Sequence, residues 1–138
     1  MGDRRKSREL ALQALFFLDV NNTDPGQGVE DFCALHEEEL TPAVKPFFLK
    51  LIDGVMEDRK KIDRLLDKWA KNWKISRMPV VDRNIMRLAV FELLRQSDIP
   101  ATVSINEAVE IGKKFGTRDS GPFINGVLDR IRLQEGLE

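Results

Sequence analysis

With one cysteine and one histidine in 138 residues, the chain has almost nothing from which to build a disulfide framework or a zinc site. Cys33 alone excludes an internal disulfide, and Cys33 with His36 falls short of the familiar zinc-ligand spacings. A reducing, cytoplasmic compartment fits that usage. No stretch approaches the roughly 20 apolar residues of a membrane span, and no apolar run of the signal-peptide kind follows the charged start. The expectation is a soluble protein that does not engage a membrane. Glycine-rich phosphate loops, a Gly-x-Ser-x-Gly elbow and an acidic calcium loop are missing as well, so no catalytic residue, cofactor or metal is expected. A net charge of −1 argues against a general, charge-driven nucleic-acid binder.

What the chain does have is helical periodicity: apolar residues recur at spacings of three and four, and no segment alternates with period two for long. Seven helices are predicted. The first runs from about Ser7 to Val20, with Leu10, Ala11, Ala14, Leu15 and Leu18 on one face and Leu12 and Phe16 on another. The string "NNTDPGQG" (21–28) then reads as a loop. A second, short helix spans roughly Val29 to Glu38, and Thr41 with Pro42 suits the start of a third carrying Val44, Phe47, Phe48, Leu51, Ile52 and Val55. A fourth, from about Asp58 to Trp73, aligns Ile62, Leu65, Leu66, Trp69 and Trp73. The fifth, from Pro79 to about Gln96, is apolar nearly all round and belongs at the centre of a bundle. "SINE" reads as a capping box opening the sixth at Ser104, Gly116 as its left-handed C-cap, and the seventh carries Phe123, Ile124, Val127, Leu128 and Ile131. The expected architecture is all-α, a single domain over 1–138 made of two packed sub-bundles, about 1–75 and 76–138.

Charge is unevenly spread. Residues 1–8 hold four cations and one acid, whereas Glu30 to Glu39 holds five acids and neither Lys nor Arg. Arg4, Arg5, Lys6 and Arg8 stand where a helix N-terminus favours acids, so they are misplaced for helix stability and suit either a phosphate backbone or a basic tail. Cys33 and His36 lie one helical turn apart, but a buried cysteine beside a surface histidine is the simpler reading. Trp69 and Trp73 could stack bases, although their alignment with Leu65 and Leu66 favours core packing. Asp82 and Arg83 open an apolar helix, either as a dipole-favourable acid with a surface partner or as part of an interface. Asn125 and Gly126 interrupt a helix, which suggests a close backbone approach or a polar tie. Phe123 is a hydrophobic staple or a stacking platform.

The strings "RRKSRELALQALF", "VDRNIMRLAVFEL" and "DIPATVSINEAVEIGKKFG" with "FINGVLDRI" resemble the signature segments of the NusB family of bacterial transcription antitermination factors, over essentially the whole chain. The resemblance implies an all-helical fold and a role without catalysis: binding single-stranded boxA RNA of ribosomal RNA transcripts together with NusE, a small-subunit ribosomal protein. It further implies an RNA polymerase elongation complex, with other Nus factors, that reads through terminators. Carried over residue by residue, the RNA-binding positions are Arg4, Arg5, Lys6 and Arg8, with Asp119 and Phe123 before and in the last helix, and Lys113, Lys114 and Arg118 as electrostatic candidates. Arginine supplies planar donors, and single-stranded bases need flat partners. For NusE, the implied contacts are Phe16 and Asp82, where the family often has Tyr and Glu. Both monomers and dimers occur in the family, so a homodimer stays open. Two rival readings are a protein-binding helical scaffold and the N-terminal RNA-binding part of a ribosomal RNA cytosine methyltransferase; ending at Glu138 leaves no room for the catalytic domain of the latter.

Overall fold

The computed structural model describes residues 2–22, 24–71 and 73–137. Met1, Thr23, Asn72 and Glu138 lie outside the description, and with them one position of the expected 21–28 loop and one of the expected fourth helix. Among the described residues there are seven α-helices and no strands: α1 (Asp3–Asn21), α2 (Pro25–Leu35), α3 (Lys45–Glu57), α4 (Arg59–Trp69), α5 (Val80–Arg95), α6 (Ala101–Phe115) and α7 (Ser120–Gln134), with a 3-10 turn at Ile75–Arg77. The chain divides into compact units Met1–Asp53 and Gly54–Glu138. That division falls well before the split expected near residue 75, because α4 packs on α5 and α7.

In the first unit, α1 buries Leu10, Ala11, Ala14 and Leu15 and ends on Asn22 in the left-handed region (φ 47°). α2 begins inside the stretch expected to be loop. Asp24 caps it by accepting from the Gln27 backbone amide at 3.1 Å, and Pro25 takes the first turn, where its missing N–H costs nothing. Phe32 is the aromatic hub of this unit. It stacks on Phe48 with centroids 5.7 Å apart and meets Phe17 edge-on at 5.8 Å. Ser7, buried on α1, donates to the Val44 carbonyl at 2.8 Å and so ties α1 to the turn that opens α3.

In the second unit, α5 is central, packed by α4, α6 and α7, as its all-round apolar sequence requires. Its buried Arg87 donates bidentately to Asp63 at 2.8 and 3.1 Å and once to Asn84 at 3.0 Å. Arg95, at the end of the same helix, donates to Asp58 at 2.9 Å, and this bond holds the Asp58 carboxyl below its usual range. Gly54 lies flat against the Phe91 ring, which a Cβ there would strike.

The capping box is not formed. α6 starts four residues earlier, with Pro100 in place of Ser104 as the capping position, and the Ser104 amide bonds to the Pro100 carbonyl at 3.2 Å. The Ser104 hydroxyl is buried and donates to Glu92 of α5 at 2.8 Å. A cross-helix carboxylate has displaced the local cap. Gly116 is likewise not left-handed. Its backbone is extended (φ −97°, ψ −152°), and glycine is required for a different reason: a Cβ there would run into the Ser120 hydroxyl.

Candidate nucleic-acid interface

The candidate residues fall in both units. In the first, α1 starts at Asp3, so Arg4, Arg5 and Lys6 occupy its opening turn, where the helix dipole repels cations. What offsets the repulsion is an aromatic ring and an acid. Arg4 and Arg8, four residues apart on one helix face, both rest over Phe47, at 4.9 and 5.3 Å from its centroid. Lys6 pairs with Glu39 at 2.7 Å. Hydrogen bonds from His36 and then Lys6 hold the Glu39 carboxyl below its ordinary range. Arg4 is exposed and Arg5 and Lys6 are half-buried. Arg8 differs from the expectation of a presented cation: it is only 4 % exposed, with its guanidinium over the Phe47 ring.

In the second unit, the α6–α7 turn presents Lys113, Lys114, Arg118 and Asp119 to solvent, with Phe123 half-buried beside them. Two hydroxyls hold the turn. Ser120 accepts from the Thr117 amide at 2.9 Å and donates to the Asp82 carboxylate at 2.7 Å, while the Asp119 amide donates to the Thr117 hydroxyl at 3.3 Å. Gly116 makes room for this arrangement. Lys113 also pairs with Glu110 at 3.1 Å, and Lys114 lies over the Phe115 ring.

The two residues singled out for a protein partner are placed very differently. Phe16 is 51 % exposed on α1, an apolar ring left in solvent. Asp82 is 4 % exposed, and its carboxylate points at Ser120 rather than outward. Neither surface reading of Asp82 anticipates this, because the sequence does not announce that Ser120 faces it across the fold.

The spacing of Trp73 from Leu66 and Trp69 predicts a core position. Instead α4 stops at Trp69, the chain bends away, and Trp73 stands 49 % exposed with its ring edge-on to Phe123, centroids 6.3 Å apart. Gly126 of α7, where the sequence suggests a close backbone approach, has open space around it instead. Cys33 and His36 form no activated pair. The imidazole stacks on Phe32 at 4.1 Å and meets Glu39 at 3.0 Å, while burial pushes the thiol up, the opposite of what a nucleophile needs. No helix among the described residues is long and apolar enough to cross a membrane.

The model of the NusB family matches residues 5–132. The chain is 56 % identical to the transcription antitermination protein NusB of Desulforapulum autotrophicum, over all of this chain and 96 % of that protein. Among solved structures, T. maritima NusB superposes with a TM-score of 0.83 at 38 % identity, covering 97 % of this chain and 92 % of that one. A chain in the crystal structure of antitermination factors NusB and NusE in complex with dsRNA also gives 0.83, at 26 % identity, covering 97 % and 98 %.

Proposed function

The chain belongs to the NusB family, and we propose that it is a transcription antitermination factor that binds boxA RNA of ribosomal RNA transcripts together with NusE. The observation that carries this reading is the 56 % identity to a NusB antitermination protein along the full chain. The geometry supplies the means. Arg4 and Arg5 offer planar guanidinium donors to phosphates at the start of α1, with Lys6 as a point charge and Arg8 bracing Arg4 through their shared ring. The α6–α7 turn offers Lys113, Lys114 and Arg118 to the backbone, Asp119 as an acceptor for base amino groups, and Phe123 as a face for an unstacked base.

Phe16 is the direct contact for NusE. Asp82 acts through Ser120, as a positioning residue for the turn. The protein carries out no chemistry of its own in this reading; it works in the cytoplasm as an RNA-holding part of an elongation complex, helping RNA polymerase read through terminators. Fluorescence anisotropy with a labelled boxA-like single strand and a scrambled control, each with and without NusE, tests it. Binding that prefers boxA and strengthens with NusE is the expected result. Equal, feeble binding of both strands in every condition would sink the reading.

A further inference from the structure

Within the second unit, the end of α4 and one face of α7 enclose a groove of about 330 Å³, lined among others by Trp69, Trp73, Phe123, Gly126, Arg130 and Lys71. That volume sits at the lower end of the range for small-ligand sites, roughly 300–1,000 Å³. Three features set it apart from an ordinary surface crease. Its aromatic walls are fixed. The Trp69 indole N–H donates to Glu135 at 2.8 Å, Lys68 lies over the Trp69 ring, and Trp73 meets Phe123 edge-on. Trp73 nonetheless stays 49 % exposed, so a flat apolar surface is left uncovered. The lining includes Gly126 in mid-helix, where glycine is less favourable than alanine. A Cβ there would meet nothing within 4 Å, so packing does not demand the glycine. What a side chain at Gly126 would do is fill the groove. Finally, the charged groups lining it, Lys71 and Arg130, are both cations.

We propose that this groove is a nucleotide pocket: it takes one unstacked base of single-stranded RNA against Trp73 and Phe123, with the flanking phosphates reaching Lys71 and Arg130. An aromatic cleft with cations suits an anionic, flat-faced ligand, which an apolar peptide is not. The inference rests on the reading of the α6–α7 turn as an RNA face and extends it to residues of α4 and the chain that follows it.

The test uses the whole protein and a labelled boxA-like single strand. Gly126→Leu fills the groove from an open, exposed helix position, so the thermal melt holds or rises while affinity falls roughly 5- to 150-fold, the range for losing one base stack. Trp73→Ala produces a loss of similar size. An RNA with an abasic site at the bound position loses the same factor on the wild type and nothing more on Gly126→Leu. Indole fluorescence of the wild type is quenched as RNA is added. If boxA binds in preference to its scrambled control yet Gly126→Leu binds like wild type, the pocket is overturned and the antitermination reading stands. If both strands quench and bind alike and Gly126→Leu weakens both, the pocket stands and boxA recognition fails. A Gly126→Leu variant that loses NusE but keeps RNA marks a peptide groove and overturns the proposal, and a wild type that binds no RNA overturns both.

Discussion

At the start of α1 the cations themselves are held: Arg4 and Arg8 rest over Phe47, and Lys6 is tied to Glu39 at 2.7 Å. At the α6–α7 turn it is the backbone that is held, through Thr117, Ser120 and Asp82, while Arg118 and Asp119 stand exposed. Both regions present charge and an aromatic ring, but they fix different things. The first pre-orients side chains, and therefore fits a phosphate contact whose donors must not wander. The second pre-orients a platform around Phe123 and leaves Arg118 and Asp119 in solvent, where they can follow a flexible strand. A more electrostatic contact at the start of α1 and a more stacking contact at the α6–α7 turn follow from this difference, and each can be broken separately.

The largest effect is expected from Asp82→Ala. It removes a buried, charge-assisted acceptor and leaves the Ser120 hydroxyl with one partner fewer, at a cost of about 1.5–3 kcal/mol. Chemical denaturation reads that loss. Because the turn that carries Arg118, Asp119 and Phe123 loosens while α1 is untouched, RNA binding should weaken, with the salt slope falling by no more than about 0.7, the share of one phosphate contact of Arg118. Asp82→Asn, which keeps an acceptor in place, should recover part of both. A smaller effect is expected from Phe16→Ala: an exposed ring contributes little to the fold, so stability should stay within about 0.5 kcal/mol. NusE affinity measured by calorimetry should nonetheless fall about tenfold, the scale of an aromatic anchor in an interface. Unchanged NusE affinity would remove Phe16 from the partner surface.

The smallest effect concerns Glu39. Its carboxyl titrates below its ordinary range because His36 and Lys6 bond to it. A depressed folded value means that the stabilisation is present above the ordinary carboxylate pKa and is lost as pH falls through the folded one. Glu39→Gln should therefore flatten the acid side of the stability profile slightly, by under about 1 kcal/mol for so exposed a pair. A profile identical to wild type between neutral and strongly acidic pH would show that the pair contributes nothing.

Much of this is legible in the sequence wherever local rules decide. α5 and α7 follow from apolar spacing alone, and the four cations at the N-terminus stand out because they oppose the dipole. The misses share a physical cause: a partner remote in sequence overrides a local rule. Ser104 has the sequence of a cap, but Glu92 takes its hydroxyl, and Arg8 has the position of a presented cation but lies buried, with its guanidinium over Phe47. Asp82 reads as a surface acid, yet Ser120, 38 residues on, reaches it. Trp73 continues a helical stripe on paper, but α4 has already ended at Trp69. The start of α2 is a different failure, since Asp24 and Pro25 are as good a helix opening as they are a loop.

The most direct test of this division of labour is the salt dependence of boxA binding in wild type, in the double variant Arg4→Ala with Arg5→Ala, and in Phe123→Ala. The account predicts that the arginine pair flattens the slope of log affinity against log salt by about 0.7 for each phosphate the variant no longer neutralises. It predicts that Phe123→Ala loses affinity at every salt concentration with the slope unchanged. A Phe123→Ala variant that alters the slope, or an arginine pair that leaves it untouched, would contradict the division of labour between the two regions.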